Sequence, residues 1–479
     1  MLRFSSARLA PLWQSVVTIG LISGQAVQAA DAPATGRAAW ASTYQQPAAP
    51  PVLIRGAEIL TGTGERLLGQ DVLLREGKIA AIGADLNASD AQIIEAKGRV
   101  LTPGLIDLHS HLGVYSSPEM EAHQDGNELS NPVTAGVWAE HGIWPQDPGF
   151  EAALAGGVTS LQILPGSANL IGGRGVTVKN VPATSYQAMK FPAAPQGLKM
   201  ACGENPKRFY GAKGQTPTTR MGNMAGYRQA FADAVAYRDE WDAYQAKLSA
   251  QQNKRGKKDD AAPPSAPKRD LRLDTLVAAM KGEVKVHIHC YRADEMANML
   301  DLAQEFGFKI AAFHHGVEFY KLSERLAEEG VCGALWADWW GFKMEAYDGI
   351  QENIALADRP AKGCAIVHSD SDEGIQRLNQ EAAKAMAAGR RAGLDIAPER
   401  AIRWITSNPA RALGIEDRTG SIETGKMADV VLWSGNPFSV LSKPDLIWID
   451  GGLAFDRSQR DQPARSDFLL GQPTREVLQ

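Results

Sequence analysis

The sequence is poor in features that would place it in a membrane or on nucleic acid. No stretch offers eighteen consecutive apolar residues, so a transmembrane helix in the mature chain is not expected. Its 50 lysines and arginines are offset by 55 acidic residues, for a net charge of −5. That balance gives no reason to expect a nucleic-acid surface. Only four cysteines occur, Cys202, Cys290, Cys332 and Cys364. None belongs to a Cys-x-x-Cys pair, which argues against a structural zinc knuckle. Each sits in or beside an apolar run, so buried free thiols are the expectation; an exported location permits disulfides, but the sequence assigns none. There is no Gly-x-Ser-x-Gly elbow of the kind that carries a nucleophilic serine. The glycine-rich run from Pro165 to Gly175 lacks the Lys-Ser/Thr of a phosphate loop and does not fit a dinucleotide fingerprint. It reads as a tight loop over a site, where Asn169 or Arg174 could meet substrate, or as a purely structural loop.

A chain of 479 residues has room for one large barrel and a smaller domain. Residues 1–30 have the pattern of a secretory signal: Arg3 and Arg8, an apolar core from Val16 to Ile22, and small residues at Val27-Gln-Ala29. The expected location is therefore periplasmic or secreted. Residues 31–51, rich in Ala and Pro, read as a flexible lead-in. Strand patterns begin at Val52, Asp71 and Lys78 and return near the other end, at Gly425–Trp433 and Asp445–Asp450. These two blocks, residues 52–102 and 411–479, are expected to form one β-sandwich, with a tail at the C-terminus. Between them, over residues 103–410, short apolar strands alternate with helical stretches such as 292–305, 322–329 and 376–392. Such alternation predicts an α/β fold, a (β/α)8 barrel or an open parallel sheet. Residues 239–273 break the rhythm with a charged, proline-containing stretch and read as an insertion in a barrel loop.

Seven of the nine histidines fall at the ends of predicted strands. His109-Ser-His111 closes Leu101-Thr-Pro-Gly-Leu-Ile-Asp-Leu. On a strand, residues two apart share a face, so both imidazoles can reach one cation. Asp107 shares that face and could orient a histidine. His287-Ile-His289, His314-His315-Gly316 and His368-Ser-Asp370 end later strands, and Lys199 or Glu204 ends an earlier one. In a parallel barrel those ends converge on one face. Packing explains such clustering poorly, because buried imidazoles cost free energy unless they are hydrogen-bonded.

The order His-x-His, Lys, His, His, Asp on successive strand ends, flanked by a split β domain, resembles the amidohydrolase superfamily. The motifs Pro103-Gly-Leu-Ile-Asp-Leu-His-Ser-His111, Thr406-Ser-Asn-Pro-Ala-Arg-Ala-Leu-Gly414 and Gly420–Val431 carry the likeness, which is nearest to the imidazolonepropionase-like and prolidase-like branch. The resemblance implies a (β/α)8 barrel holding one or two divalent metals, zinc above all. It implies His109, His111, His289 and His315 as ligands, and Asp370 as both ligand and proton shuttle. The bridging position falls to a carboxylated Lys199 or to Glu204. The two have opposite parity on an ideal strand, so one of them faces inward. His287 would support the site from one layer deeper in the barrel, His368 would support it or simply fill the barrel, and His314 would point toward the helices or pack.

The chemistry implied is hydrolysis of an amide or cyclic amide. Zinc lowers the pKa of a coordinated water to about 7 and polarises a carbonyl. A small molecule is the expected partner: a dipeptide or an N-acyl amino acid, with deamination of a small heterocycle, or ligand binding without catalysis, as the alternatives. Tyr291, Arg292, Arg220 and Tyr210 are candidates to hold substrate, since guanidinium forks suit carboxylates; nearby acids could occupy the arginines instead. The aromatic run Trp336–Phe342 could wall an apolar pocket or pack on the insertion. Self-association is left open.

Overall fold

A computed structural model describes residues 40–117, 119–254, 262–339 and 341–459. The expected signal sequence, Trp340 and the C-terminal tail lie outside the described residues, as does the middle of the expected insertion.

Two eight-stranded sheets form the frame. The first is built from both parts of the chain: β1 (Val52–Leu60), β2 (Arg66–Arg75), β3 (Lys78–Gly83), β4 (Gln92–Glu95) and β5 (Val100–Pro103), then β14 (Val430–Trp433), β15 (Pro444–Ile449) and β16 (Gly452–Asp456). Its order is β16-β15-β14-β5-β1-β2-β3. The sheet forks at β1, whose first half pairs with β4 and whose second half pairs with β5. Ile54, Ile59, Val72, Leu101, Val430 and Trp448 fill its core.

The second sheet is a nearly closed barrel. Its strands are β6 (Leu105–Ser110), β7 (Val158–Ile163), β8 (Ile171–Lys179), β9 (Gly197–Ala201), β10 (Lys285–Cys290), β11 (Ile310–His315), β12 (Cys332–Leu335) and β13 (Ala365–Val367), hydrogen-bonded in sequence order. Most are apolar runs buried on both faces, as strands enclosed between helices and a filled interior must be. The expected all-parallel (β/α)8 pattern is broken once, because β8 runs antiparallel to both neighbours. Residues 171–175 of the glycine-rich run belong to that strand, while residues 165–170 form the expected loop. A side chain at Gly173 would come within 2.2 Å of the Val137 carbonyl oxygen, so glycine lets β8 pass against the preceding loop. The gap between β13 and β6 is closed by the Asp370 N–H donating to the His109 carbonyl at 3.1 Å and the Ser369 N–H donating to Asp107 Oδ1 at 3.2 Å.

The interruption after β9 is a 35-residue helix, Arg220–Lys254, followed by a second helix, Leu271–Met280. No helix among the described residues is long and apolar enough to cross a membrane. A buried ion cluster joins barrel to flanking sheet. Lys179 on β8 lies 3.2 Å from Asp429 and 2.7 Å from Asp450, and the Tyr44 hydroxyl donates to Asp450 at 2.6 Å.

The cysteines are not free. Cys202 pairs with Cys290 and Cys332 with Cys364. Each bridge links neighbouring strand segments, which hydrophobic pattern alone cannot reveal: a half-cystine is as buried and apolar as a free thiol.

Candidate metal centre

The C-terminal ends of β6, β10, β11 and β13 meet at one place. His109 Nε2 and His111 Nε2 lie 3.2 Å apart. Asp370 Oδ1 sits 3.2 Å from the first and 3.1 Å from the second. Ligands about 2.0–2.1 Å from a tetrahedral zinc ion lie about 3.3–3.4 Å from one another, so this triangle is close to the size of three of its four positions. The His111 Nδ1–H donates to the Leu164 carbonyl at 2.8 Å, which leaves the Nε2 lone pair facing Asp370.

His289 and His315 form the other side, with rings 4.6 Å apart. Both nitrogens of His289 are buried without a hydrogen-bond partner among the described residues. An orphaned buried imidazole is costly, and a cation beside it removes the cost. His315 Nδ1 lies 3.1 Å from His368 Nε2 and 3.8 Å from Asp370 Oδ2. The donor set, four imidazoles and a carboxylate, suits a divalent metal.

Backbone conformation places two of these groups. His315 and Asp370 have φ of 71° and 50°, in the left-handed region that non-glycine residues seldom occupy. The turn at His315 explains a correction. His314 does not face the helices: it pairs in register with His289, on the inward face, and its Nδ1 lies 2.8 Å from His109 Nδ1, inside the barrel. His287 is there too, with its Nδ1 2.9 Å from His314 Nε2. His315 pairs with Cys290, whose side chain is tied to Cys202, and it is the left-handed turn at His315 that brings this ring to the site as well.

Electrostatics favour neutral ligands. Burial, aided by the Lys199 charge and neighbouring rings, holds His109 well below the ordinary imidazole pKa. Burial does the same for His289, aided by the Lys343 and Lys199 charges, and for His315, aided by the surrounding imidazoles. Burial alone would raise Asp370, but the His111 hydrogen bond and nearby positive charge keep its carboxyl below the usual range. The group is thus ionised at neutral pH.

Lys199 lies on β9, fully buried, with its Nζ donating to the Pro165 carbonyl at 2.9 Å. Burial pushes its pKa down to about 8. Glu204 is elsewhere. It opens the helix Glu204–Gly211, and its carboxylate lies 3.8 Å from Lys343 and 4.0 Å from Arg208. Asp107 orients no imidazole. Its carboxylate accepts from the backbone of His109 and Ser369 and from the Ser369 hydroxyl, and so ties β6 to β13. Burial raises its pKa to about 7.

The substrate candidates divide. Tyr291 is buried against His289, with ring centres 4.7 Å apart, and against Trp336. Arg292 is instead on the surface, paired with Asp294 at 2.9 Å. Arg220 is held by Glu295 at 3.1 Å and by Glu345. Arg174 is buried on Thr275 and Gln196, Asn169 ties down residues 128–134, and the Tyr210 hydroxyl donates to the Asn131 carbonyl. Those last three are structural. Two features carry more than the sequence suggested. Trp336 stacks on His315 with centres 4.2 Å apart. Lys343 holds its ammonium 4.0 Å from the Tyr291 ring centre and within 3.0 Å of Asn205 Oδ1. The adjacent aromatic run hinted at the first; nothing in the sequence marked the second.

Known proteins agree with this architecture. The crystal structure of an amidohydrolase from Thermotoga maritima MSB8 superposes with a TM-score of 0.75 at 36% identity, covering 85% of this chain and 100% of that one. Amidohydrolase tasK of Hapsidospora irregularis is 33% identical over 442 residues, 85% of this chain but only 43% of its own length. A dihydroorotase of Halalkalibacterium halodurans is 35% identical over 113 residues, 24% of this chain and 21% of its own. This chain therefore spans less than half the length of the curated relatives it matches. A model of the amidohydrolase family matches residues 100–454, and the chain belongs to that family.

Proposed function

We propose that this chain is an exported, zinc-dependent hydrolase of carbon–nitrogen bonds, acting on dipeptides or N-acyl amino acids with an apolar side group. One observation carries the reading: three donor atoms from the end of β6 and the turn after β13 lie 3.1–3.2 Å apart, beside a buried imidazole with no hydrogen-bond partner among the described residues. His109, His111, His289, His315 and Asp370 would hold the cation or cations. When bound, a divalent cation supplies a nucleophile at neutral pH and polarises the scissile carbonyl.

The chain's own groups do the rest. Asp370, ionised and close to both imidazoles of the His-x-His pair, accepts the proton of the attacking water and passes it to the leaving nitrogen. Lys199 is carboxylated: its neutral amine adds to CO2, forming an N–C bond and releasing a proton. With a pKa of about 8, about a tenth of the amine is neutral at pH 7. Tyr291, Trp336, Trp339 and Phe342 line an aromatic wall beside His315, with Trp339 43% and Phe342 56% exposed. That wall supports an apolar side group, and Lys343 beside it supports a substrate carboxylate. Two disulfides support an oxidising compartment and therefore export.

The test is metal analysis followed by a substrate screen. Purified protein is expected to hold one or two zinc ions per chain, and His109→Ala to lose metal and activity together. Dipeptides and N-acyl amino acids are then assayed for released amino acid, and aminated heterocycles for ammonia. Ammonia alone would replace the peptidase-like reading with deamination. A folded chain that binds no divalent metal refutes both.

A further inference from the structure

Below the candidate metal centre, a line of hydrogen-bonding side chains runs down the barrel interior. His109 Nδ1 faces His314 Nδ1 at 2.8 Å, His314 Nε2 faces His287 Nδ1 at 2.9 Å, and His287 Nε2 faces the Gln162 side-chain nitrogen at 3.3 Å. All four residues are buried to 1% exposure or less. Gly197 makes room for the last contact: a side chain there would come within 2.5 Å of the Gln162 nitrogen and 3.1 Å of His287.

A neutral imidazole has one donor and one acceptor, so the direction of one hydrogen bond fixes every other in the line. If His109 is to offer its Nε2 lone pair outward, its proton must sit on Nδ1 and be donated to His314 Nδ1. His314 then donates from Nε2 to His287 Nδ1, and His287 donates from its own Nε2. The final group must accept. Gln162 has such an acceptor: its Oε1 is buried and has no partner among the described residues, on the same amide that now turns its nitrogen toward His287. A half-turn of that amide satisfies the oxygen and completes the line.

We infer that His314, His287 and Gln162 are positioning residues that set the tautomer of His109 and so aim its Nε2 lone pair at the bound cation, with Gln162 as the terminal acceptor. Metal-ligating histidines commonly donate their other nitrogen to a carboxylate or a carbonyl. Here three further side chains carry that role into the barrel floor. The inference rests on the reading that His109 ligates a metal.

Two measurements test it without relying on catalysis. The first uses the wild-type chain with 15N-labelled histidine and bound zinc: long-range nitrogen–proton correlation is expected to show His314 and His287 protonated at Nε2. A His314 ring protonated at Nδ1 overturns the proposal. The second is zinc affinity by competition with a chromogenic chelator. Gln162→Met keeps the volume but cannot accept, and is expected to weaken zinc binding about 3–10-fold; His314→Phe is expected to weaken it about 10–100-fold. Gln162→Glu, a stronger acceptor, is expected to hold wild-type affinity. A merely structural line would leave the affinity of folded Gln162→Met unchanged, which overturns the proposal while the metal reading stands. A wild-type chain that binds no zinc overturns both.

Discussion

Replacing Lys199 with methionine should stabilise the metal-free protein while abolishing its activity. The amine is fully buried; among the described residues its one hydrogen bond is to the Pro165 carbonyl, and no carboxylate lies within ion-pair distance. Burial lowers its pKa from 10.5 to about 8. Below pH 8 the side chain is protonated in both folded and unfolded states, and the difference of about 2.5 units corresponds to about 3 kcal/mol against folding. Methionine removes that cost. It also leaves the Pro165 carbonyl without its donor, at about 1 kcal/mol. The net expectation is a gain of about 2 kcal/mol at pH 7. The sign carries a pH signature. Between pH 8 and 10.5 the unfolded chain binds the extra proton, so the wild type regains stability with rising pH and the advantage of Lys199→Met shrinks. Urea unfolding of chelator-treated protein in CO2-free buffer at pH 7 and pH 9.5 measures this, alongside steady-state kinetics of the zinc-loaded forms. A variant destabilised by 2 kcal/mol or more that still turns over substrate would refute the reasoning and make Lys199 an ordinary core residue.

Asp370→Asn should retain zinc through the histidines but lose about 10²–10⁴ in kcat, since it deletes the proton acceptor; metal content and kinetics on one preparation check this. Burial holds the His287 pKa down to about 3, so the folded state binds fewer protons than the unfolded chain between about pH 3 and 6.5. Its contribution is complete above pH 6.5 and is lost as pH falls; at pH 5 the loss from this ring alone is about 2 kcal/mol, to be read from urea midpoints of the metal-free protein at pH 7 and 5. Unchanged midpoints would contradict the buried neutral ring. Opening the bridge between Cys332 and Cys364, 32 residues apart, with a double serine variant should cost about 2–4 kcal/mol, and a thermal transition that does not move would argue that the bridge does not form.

Much of the site was legible because its chemistry is local. His109 and His111 share a face by strand parity alone, and their paired nitrogens follow from it. The clustering of His289, His315 and Asp370 at strand ends needed only the rule that parallel strands present those ends together. Parity failed where the backbone left the strand. His315 and Asp370 take positive φ, so His315 reaches the site from the face that parity turns outward, while His314 beside it stays inward; Glu204, past the end of β9, starts a helix instead. The glycine-rich β8 carried too few side chains for its pattern to read as a strand.

By itself, the amino-acid order determined the alternation of apolar strands and helices, the division of the flanking sheet between distant segments, and the histidines and Asp370 that gather at the strand ends. These depend on side-chain type and on periodicities of two and 3.6 residues, which are properties of neighbours along the chain. Only the tertiary structure decided which cysteines pair, which arginines are already occupied by acids, that β8 runs antiparallel, and that an imidazole line descends to Gln162. Those outcomes depend on distances of about 3 Å between residues tens or hundreds of positions apart, and no local pattern encodes such distances.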